Sequence, residues 1–356
     1  MKPEVSVIIP TYNSASYIAK ALRSILAQTY TNWEIILIDD ASTDATLSIV
    51  RRFADRRIKV IENKQNRGVS YGRNLGIGQA RGKWIALLDS DDWYAAQRLE
   101  KLVAVGEANN ADLVADNLWL INEGEKKPWS TLLKECPQVE LSSNTFIDAV
   151  QFVVSDRLPA INARRIWSLG YAKPLIKREF LLRHQIWYDE NLRVGEDFTL
   201  YLECLRRKAR FYLLEQPYYY YRTRKVSLST RKPTEYLFES CAIAQKFINC
   251  EINSPEESRL LKALLENLTT FQKRLVFYRL LENIRDRQFI AALALITEHP
   301  YVIADFYRKS LFALTNKLRN LMSKKPSAAS SKPLVYPDGN GFIRSLNELI
   351  DLRLRI

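Results

Sequence analysis

The sequence contains few of the residues that build zinc and redox sites. Its 356 residues include two histidines, His184 and His299, and four cysteines, which are Cys136, Cys204, Cys241 and Cys250. The cysteines form no C-x-x-C pair and no close group with a histidine. This spacing argues against a zinc site and favours reduced thiols in a cytosolic protein.

The glycine-rich loops of two common nucleotide-binding folds are also missing. No G-x-G-x-x-G follows the first apolar run, and no G-x-x-x-x-G-K-[ST] occurs anywhere in the chain. The first absence argues against a dinucleotide site of the Rossmann type, and the second argues against a P-loop. Neither kind of nucleotide site is expected here.

Long hydrophobic runs are absent as well. The N-terminal residues "MKPEVSVIIP" lead directly into an apolar run that is too short for a secretory signal and its cleavage site. The longest apolar stretch near the C-terminus, residues 289–296, is far shorter than the roughly 20 residues of a membrane span. We therefore expect a cytoplasmic protein that does not cross a membrane.

Positive charge is concentrated near the C-terminus. Residues 222–356 contain 23 Lys or Arg and 13 Asp or Glu, which gives +10 of the net charge of +13. Such a surface favours nucleic acid, acidic lipid head groups or a phosphorylated acceptor, although it can also serve solubility alone. No recognised nucleic-acid module accompanies the charge, so nucleic acid is not expected as a partner. The partner we expect for this basic region is the inner face of the membrane, which it would contact peripherally.

The first 120 residues alternate short apolar runs with helical patterns, which predicts an α/β fold. The apolar runs are read as strands at residues 5–9, 34–39, 58–62, 84–89 and 112–116. Several are apolar on both alternating faces, as expected for a mostly parallel central sheet with helices on both faces. Ligands bind such sheets outside the carboxyl ends of the strands.

Carboxylates follow two of these strands. Asp39 and Asp40 end the second strand, and Asp89, Asp91 and Asp92 end the fourth in the stretch "WIALLDSDDW". Carboxylates this close repel one another, and a hard divalent cation such as Mg²⁺ or Mn²⁺ prefers oxygen ligands. The pattern is therefore consistent with a metal site, although an Asp-rich turn with no metal gives the same letters.

Several motifs together resemble the family-2 glycosyltransferases, which have the GT-A fold. The resemblance rests on "VSVIIPTYNSASYIAKALRSILAQTYTNWEIILIDDASTDAT", then "NRGVSYGRNLGI", then "WIALLDSDDW". It is close over residues 4–120 and continues more loosely to about residue 230. It implies a nucleotide-diphosphate sugar donor and transfer of the sugar to a glycan or lipid-linked acceptor, with a role in cell-surface polysaccharide synthesis. For the base of the donor, uracil in UDP or thymine in dTDP is expected before guanine, and a UDP-sugar is the donor we expect.

The resemblance also implies which residues form the donor site. The loop after the first strand would lie along the base and ribose, Asp40 would accept a hydrogen bond from the base, and Arg73 would approach the diphosphate. The full set implied for nucleotide-sugar binding is Pro10, Thr11, Tyr12, Asn13, Asp39, Asp40, Arg73, Asn74, Asp89 and Ser90. A divalent cation would be held by Asp91, with Asp92 as a second or alternative ligand.

On the acceptor side, the resemblance implies a catalytic pair in "VGEDFTLYLECL". Asp197 would act as the general base, and Glu196 would orient it or contact the acceptor. The implied reaction is a single displacement that inverts the anomeric carbon. A catalytically inactive glycosyltransferase-like binding protein is the alternative, which the intact acidic residues disfavour.

The remaining organisation is predicted as follows. Residues 1–232 form the glycosyltransferase domain, with a nucleotide-sugar half (1–121) and an acceptor half (122–232). Residues 233–322 form a helical C-terminal extension, residues 323–341 a flexible linker and residues 342–356 a short amphipathic helix.

Two features near residue 220 each have two interpretations. The tyrosines Tyr218 to Tyr221 can stack on sugar rings or pack inside a strand. Arg222 and Arg224 can close over the diphosphate or stay in solvent.

Overall fold

The computed structural model describes residues 2–136, 144–157, 167–224, 233–250 and 255–307. The predicted linker at 323–341 and the predicted helix at 342–356 lie outside these residues, as does the end of the predicted helical extension.

The described residues form strands and helices in alternation through the first half of the chain. The strands are β1 (Val5–Thr11), β2 (Trp33–Asp39), β3 (Ile58–Glu62), β4 (Trp84–Leu87), β5 (Trp93–Tyr94), β6 (Leu113–Asn122), β7 (Ser130–Thr131), β8 (Thr145–Ile147), β9 (Leu175–Lys177) and β10 (Phe211–Thr223). The five strands predicted from apolar runs are all present, as β1, β2, β3, β4 and β6.

Helices fill most of the connections and the whole of the described C-terminal part. They are α1 (Ile18–Leu26), α2 (Thr46–Val50), α3 (Val69–Gln79), α4 (Arg98–Ala108), α5 (Leu132–Glu135), α6 (Ala149–Ser155), α7 (Arg178–His184), α8 (Glu196–Arg206), α9 (Pro233–Ile248), α10 (Pro255–Arg285) and α11 (Phe289–Glu298). A 3-10 turn covers Leu169–Tyr171, and a further helix follows α11 at Tyr301–Tyr307.

All ten strands belong to one sheet, in the order β3-β2-β1-β4-β9-β6-β10-β5, with β7 beside β6 and β8 beside β10. The pairs β3–β2, β2–β1, β1–β4 and β6–β10 are parallel. Strand β9 lies antiparallel between β4 and β6. Because β9 reverses the direction twice, β6 and β10 run the same way as β1 to β4. The sheet is therefore mostly parallel, as predicted, with four short antiparallel strands that the sequence patterns did not indicate.

The apolar sequences of β1 and β2 fit their position in the centre of this sheet. Val5, Val7, Ile8 and Ile9 of β1 are buried, so both faces of the strand are covered. Helix α3 packs closely on one face, because a Cβ at Gly76 would lie 2.5 Å from Cγ2 of Ile8. The first turns of α3, which include Arg73, therefore lie near the carboxyl ends of β1 and β2.

Strand β10 is irregular in its pairing with β6. Its register with β6 shifts between Leu214 and Pro217 and again between Pro217 and Tyr219. Pro217 has no N–H for the ladder, and the backbone N–H of Tyr218 donates instead to Oδ2 of Asp116. The shift turns Tyr219 inward, where its side chain is fully buried. The strand interpretation of the tyrosine run is therefore correct for Tyr219.

The chain divides into two compact units, Met1–Gln272 and Lys273–Ile356. The boundary predicted at residue 232 falls inside the first unit, which also includes α9. Among the described residues no single helix is long and apolar enough to cross a membrane, whereas α11 and the helix Tyr301–Tyr307 meet the test of length and composition only as a pair bent by 112°.

Candidate active site

Asp40 is held at the carboxyl end of β2 by neutral donors. Its carboxylate accepts hydrogen bonds from Nδ2 of Asn63 at 2.8 Å and from the backbone N–H groups of Arg67 and Gly68 at 3.0 and 2.8 Å. Gly68 adopts φ +89°, which a residue with a Cβ rarely adopts, and so turns its N–H toward the carboxylate. The loop before α3 is thereby fixed to the end of β2.

Next to Asp40, two buried polar atoms have no hydrogen-bond partner. They are Oγ1 of Thr11 and Oδ1 of Asp39, which belong to residues paired in register at the ends of β1 and β2. The other oxygen of Asp39 accepts from the backbone N–H of Ser42 at 3.0 Å. Because buried polar atoms are nearly always paired, a water molecule or a polar ligand is expected beside these two oxygens.

The rest of the predicted base-and-ribose loop follows β1 directly. Pro10 pairs with β2 inside the sheet, whereas the ring of Tyr12 is 48% exposed beyond the strand end. Asn13 adopts φ +48°, and its Oδ1 accepts from the backbone N–H of Thr43 at 2.8 Å. This bond joins the loop after β1 to the loop after β2, and it leaves the Tyr12 ring accessible for stacking.

The guanidinium of Arg73 lies at the centre of the site. Arg73 projects from α3 and is buried, and it binds carboxylates from two distant segments. Its Nη2 lies 2.9 Å from Oδ1 of Asp89, and its Nη1 lies 2.9 Å from Oε1 of Glu196 and 3.0 Å from Oδ1 of Asp197. One cation therefore joins the carboxylates that the sequence assigned to the donor side and to the acceptor side.

Lys173 is a second buried cation in the same cluster, and sequence reasoning missed it. Its Nζ lies 2.6 Å from Oδ2 of Asp197 and 3.1 Å from Oδ2 of Asp89. The one signal in the sequence is a lysine inside the otherwise apolar stretch "YAKPLI". Arg73 and Lys173 together bind both oxygens of Asp89 and both oxygens of Asp197.

Asp197 is further enclosed by aromatic hydroxyl groups. The hydroxyl of Tyr188 donates to Oδ1 of Asp197 at 3.0 Å, and that of Tyr201 donates at 3.5 Å. Asp197 lies in the first turn of α8, where the helix dipole favours negative charge. The carboxylate is thus strongly oriented, as a catalytic group must be.

Asn74, which the sequence assigned to the donor site, has a different set of contacts. Its Nδ2 donates to the backbone oxygen of Tyr188 at 2.9 Å and to Oε1 of Glu190 at 3.0 Å, while its Oδ1 accepts from the backbone N–H of Tyr188. In this structure Asn74 joins α3 to the loop that carries Tyr188. It positions that loop through both ends of its amide.

The three aspartates of "DSDD" have different surroundings. Oδ2 of Asp92 accepts from the hydroxyl of Tyr219 at 2.8 Å, and its Oδ1 accepts from the backbone N–H of Arg222 at 2.7 Å. Asp91 is more open, and its Oδ2 lies 3.0 Å from Nη1 of Arg224. Arg222 and Arg224 therefore contact this acidic turn in the structure, the first through its backbone N–H and its Nε, which donates to the backbone oxygen of Asp91.

These contacts test whether the acidic turn fits a divalent cation. Among the described residues, no group of three or more His, Cys, Asp or Glu side chains is arranged to hold a metal. Mg²⁺ in phosphate-binding sites, however, takes only one or two carboxylates and completes its shell with phosphate oxygens and water. Asp91 fits that role, since its carboxylate is partly exposed with a single ion pair. Asp92 does not fit as well, because both of its oxygens already accept hydrogen bonds from β10.

Ser90, which the family resemblance assigned to the donor site, has a partner in the loop after β1. Its hydroxyl group hydrogen-bonds the hydroxyl group of Ser14 at 2.7 Å.

The electrostatics of the cluster separate the carboxylates. Burial alone would raise the pKa of Asp89, but Lys173 and Arg73 outweigh it and lower that pKa well below the ordinary value. Burial and the neighbouring charges of Asp91 and Asp89 raise the pKa of Asp92 well above its ordinary value. Burial and Asp197 likewise raise the pKa of Glu196. A negative Asp89 beside an Asp92 that is easily protonated reduces the repulsion within the turn.

An aromatic cluster lies in the acceptor half, and it includes Tyr171 at the end of the 3-10 turn that precedes Lys173. The ring of Trp167 lies 5.0 Å from that of Tyr171, 5.7 Å from that of Tyr221 and 6.3 Å from that of Trp129, between centroids. Tyr221 is two residues beyond Tyr219 on β10 and so projects from the same face of the sheet. Trp129 is 43% exposed, so part of this aromatic cluster is open to solvent.

Comparison with known proteins connects this geometry to a family. Residues 6–156 match the model "Glycosyl transferase family 2". The succinoglycan biosynthesis protein ExoO of Rhizobium meliloti is 29% identical over 331 residues, which cover 92% of this chain and 90% of that protein. The poly(ribitol-phosphate) beta-N-acetylglucosaminyltransferase TarS of Staphylococcus aureus (strain Mu50) is 27% identical over 277 residues, or 75% of this chain and 44% of TarS.

Solved structures show the same fold. The structure of S. aureus TarS 1–349 in complex with UDP-GlcNAc aligns with a TM-score of 0.59 at 21% identity, covering 77% of this chain and 79% of that one. The mannosyltransferase PcManGT from Pyrobaculum calidifontis, in complex with GDP-Man and Mn²⁺, aligns with a TM-score of 0.51 at 18% identity over 91% and 89%. At these identities the likeness concerns the fold, which is the predicted GT-A type with a helical C-terminal region.

Proposed function

We propose that this chain, which is a glycosyltransferase and belongs to glycosyl transferase family 2, transfers a sugar from a UDP-sugar to a hydroxyl group of a glycan or lipid-linked acceptor. The observation that carries the proposal is the convergence of Asp89 from the donor half with Asp197 from the acceptor half on the shared cation Arg73. A transfer reaction needs its donor and acceptor groups within one such volume.

The donor side supports binding of a nucleoside diphosphate. The exposed ring of Tyr12 is available to stack on the base, and the unpaired oxygens of Thr11 and Asp39 are available to a base or ribose. A uracil base is proposed because solved structures of the similar TarS hold UDP and UDP-GlcNAc. The proposed order along the edge of the sheet is base at β2, ribose at β1 and diphosphate at β4.

A divalent cation, Mn²⁺ or Mg²⁺, is the cofactor we propose, held by Asp91 and the donor diphosphate. When bound, it would offset the negative charge that develops on the departing diphosphate. Arg224 now pairs with Asp91, so Arg224 must move from Asp91 or share it when the donor enters. Its guanidinium is then free to bind a diphosphate oxygen.

On the acceptor side we propose Asp197 as the general base. It would take the proton of the acceptor hydroxyl as the new C–O bond forms at the anomeric carbon and the bond to the diphosphate oxygen breaks. A single displacement of this kind inverts the anomeric configuration. Arg73 and Lys173 position the carboxylate, and Arg73, with Asp89, lies where the diphosphate leaves.

The acceptor is proposed to be a sugar of a growing surface polysaccharide. The aromatic cluster around Trp167 adjoins Asp197 through the short segment between Tyr171 and Lys173, and aromatic rings can pack against the apolar faces of sugar rings. We propose that the reaction takes place in the cytoplasm, at the inner face of the membrane, where the basic C-terminal region would meet a lipid-linked acceptor.

A thermal-shift panel tests the donor assignment. UDP, GDP, CDP and dTDP are each added with and without Mn²⁺, because a ligand that binds only the folded state raises the melting temperature. We expect UDP with Mn²⁺ to give the largest rise, and Asp91→Asn to abolish the contribution of the metal. Asp55→Asn, at an Arg57 ion pair at the opposite end of β3, should behave as wild type. Equal shifts with all four nucleotides, or none, would contradict the donor assignment.

A further inference from the structure

We infer that the apolar face formed by α11 and the helix Tyr301–Tyr307 docks on the surface of an anionic lipid bilayer. The inference rests on the proposed function for the choice of a membrane that carries the acceptor, and it deepens that function by naming the surface that touches it. The observations that carry it all belong to the second compact unit.

Helix α11 is apolar on every side, and only one side is covered. Ala292 is buried and joins Leu280 of α10 and Val302 in a small core, to which Leu295 and Ile296 add partly buried side chains. A helix that is hydrophobic all round normally has protein or lipid on all sides. The face opposite this small core has no cover among the described residues.

Large exposed apolar side chains follow one another closely in the sequence of these two helices. Ile290 is 89% exposed, Phe289 64% and Leu293 62%. The next helix adds Ile303, Phe306 and Tyr307, which are also exposed. Elsewhere in the described part of the chain, exposed apolar side chains such as Phe238 do not occur in such a sequence-local group. A contiguous exposed apolar patch marks a contact with a partner or a membrane.

The basic residues that follow these two helices in the sequence favour anionic lipid as the occupant. Exposed Arg285 and Arg287 lie just before α11, on either side of Asp286, which forms an ion pair with Arg285. Directly after the helix Tyr301–Tyr307, the thirty residues 308–337 contain seven Lys or Arg and no Asp or Glu. Basic clusters beside an apolar membrane-facing element bind acidic lipid head groups, at about 1 kcal/mol for each Lys or Arg near the surface.

The dimensions favour a helix pair that lies on the bilayer. The ten residues of α11 extend about 15 Å, half of the roughly 30 Å hydrocarbon core. The helix that follows is bent away by 112°, so the two axes do not form one continuous span. Two short helices with an apolar face and basic flanks can instead enter the interface to a depth of about 5–10 Å.

Vesicle flotation of the full chain tests the inference. The vesicles are phosphatidylcholine alone or phosphatidylcholine with 30% phosphatidylglycerol, in about 0.1 M and 0.5 M NaCl. We expect binding to the anionic vesicles only, with a loss of at least tenfold at the higher salt because the attraction is screened. The double variant Ile290→Glu/Leu293→Glu should lose at least tenfold at low salt.

Two controls distinguish a lipid surface from a second copy of the chain and from the chain's own C-terminal residues. Phe238→Glu places the same charge on an exposed side chain of the first unit, and it should float as wild type. Light scattering after size exclusion identifies a second copy of the chain as the occupant, if wild type is dimeric and the Ile290→Glu/Leu293→Glu variant is monomeric. A fall in melting temperature of the double variant, without any vesicle binding by wild type, would assign the face to the C-terminal residues. Either of these results, or equal flotation of wild type and double variant, overturns the inference.

The same proteins also separate the docking surface from the proposed function. The double variant should keep the thermal shift with UDP and Mn²⁺, since its substitutions lie in the second unit. Vesicle binding without a UDP shift would contradict the donor assignment and leave the docking surface supported. A UDP shift without vesicle binding would overturn only the docking surface.

Discussion

Two sets of carboxylates at the same edge of the sheet are held by different chemistry. Asp39 and Asp40 are bound by backbone N–H groups and an amide, which carry no net charge. Asp89 and Asp197, by contrast, are bound by the buried cations Arg73 and Lys173. The first set keeps its negative charge available to a ligand that donates hydrogen bonds. In the second set, the two cations offset most of the negative charge of the carboxylates that they bind.

The difference also concerns distance along the chain. The donors to Asp40 come from residues 63–68, within about one strand–loop unit. Arg73 reaches Glu196 and Asp197 across more than 120 residues. The backbone-held pair is therefore a local structure, and the cation-held cluster exists only when both halves of the domain are folded together.

Removal of the central cation should have the largest effect on stability. Arg73→Met leaves three carboxylates around one remaining cation, and breaking a buried ion pair from one side costs about 3–5 kcal/mol. Urea unfolding measures this loss. Arg51→Met, which breaks an exposed pair with Glu62, should cost less than about 1 kcal/mol. Similar losses for the two variants would show that Arg73 does not hold the cluster together.

Asp156 is a third kind of buried carboxyl group, with neither a cation nor a ligand site assigned to it. Its hydrogen-bond partner is the hydroxyl of Ser168, and burial is the main influence on its pKa. Burial raises its pKa from 3.8 to about 7. Because the pKa is raised in the folded state, the stability that this group contributes is complete below about pH 4 and is lost as the pH rises to about 7. Asp156→Asn should therefore be more stable than wild type at pH 8 by about 4 kcal/mol, at 1.36 kcal/mol for each of about three pKa units.

Unfolding of wild type and Asp156→Asn between pH 4 and pH 8 measures that difference. We expect the difference in unfolding free energy to grow across this window and to level off above pH 8. Asp148→Asn offers a control at the other end of the same helix, where the carboxylate caps α6 and is exposed. A difference independent of pH would contradict the raised pKa.

Loss of the second cation should affect the reaction more than donor binding. In Lys173→Met, Arg73 still holds Asp89, while Asp197 loses the partner of its Oδ2. We expect kcat to fall about 100-fold, the lower end of what a positioned base contributes, with the UDP affinity within about twofold of wild type. Lys177→Met, on the same segment but paired with Asp112, should retain kcat. A loss confined to UDP affinity would assign Lys173 to the donor site.

The smallest effect is expected at the backbone-held pair. Asp40→Asn keeps the shape of the side chain but can accept fewer of the hydrogen bonds from Asn63, Arg67 and Gly68. Asp40 is also expected to accept a hydrogen bond from the base of UDP. One hydrogen bond to a charged group contributes about 1.5–3 kcal/mol, and the amide oxygen retains part of it, so the UDP affinity should fall about tenfold. Titration calorimetry with UDP and Mn²⁺ measures it. An unchanged affinity would mean that Asp40 only supports the loop.

Local features of the chain could be predicted from the sequence, and long-range ones could not. Strands β1 to β4 and the acidic positions behind them follow from apolar runs and local spacing, and the structure contains them as predicted. Strand β9 has only three residues and owes its place between β4 and β6 to long-range pairing, which no periodicity indicates. The candidate site also combines local and long-range features. Asp40 and the loop that binds it are close in sequence and could be predicted from it.

Contacts between the nucleotide-sugar half and the acceptor half could not be predicted from the spacing of residues in the sequence. Arg73 was expected near the diphosphate, but its contacts with Glu196 and Asp197 follow from the docking of α3 against α8. Asn74 was assigned to the donor, whereas its amide binds the backbone of Tyr188. Lys173 lies in the part of the chain where the family resemblance is looser and assigned it no role, and its burial beside Asp197 depends on the fold.

Asp197→Asn tests most directly the claim that this edge of the sheet catalyses sugar transfer. UDP affinity and transfer from the UDP-sugar that the donor panel favours are measured on the same preparation, with Glu203→Gln near the C-terminal end of α8 as the control. We predict an unchanged UDP affinity, within about twofold, and a fall in transfer of about 100-fold to 10,000-fold, the range for loss of a positioned base. Transfer at the wild-type rate by Asp197→Asn would contradict the account.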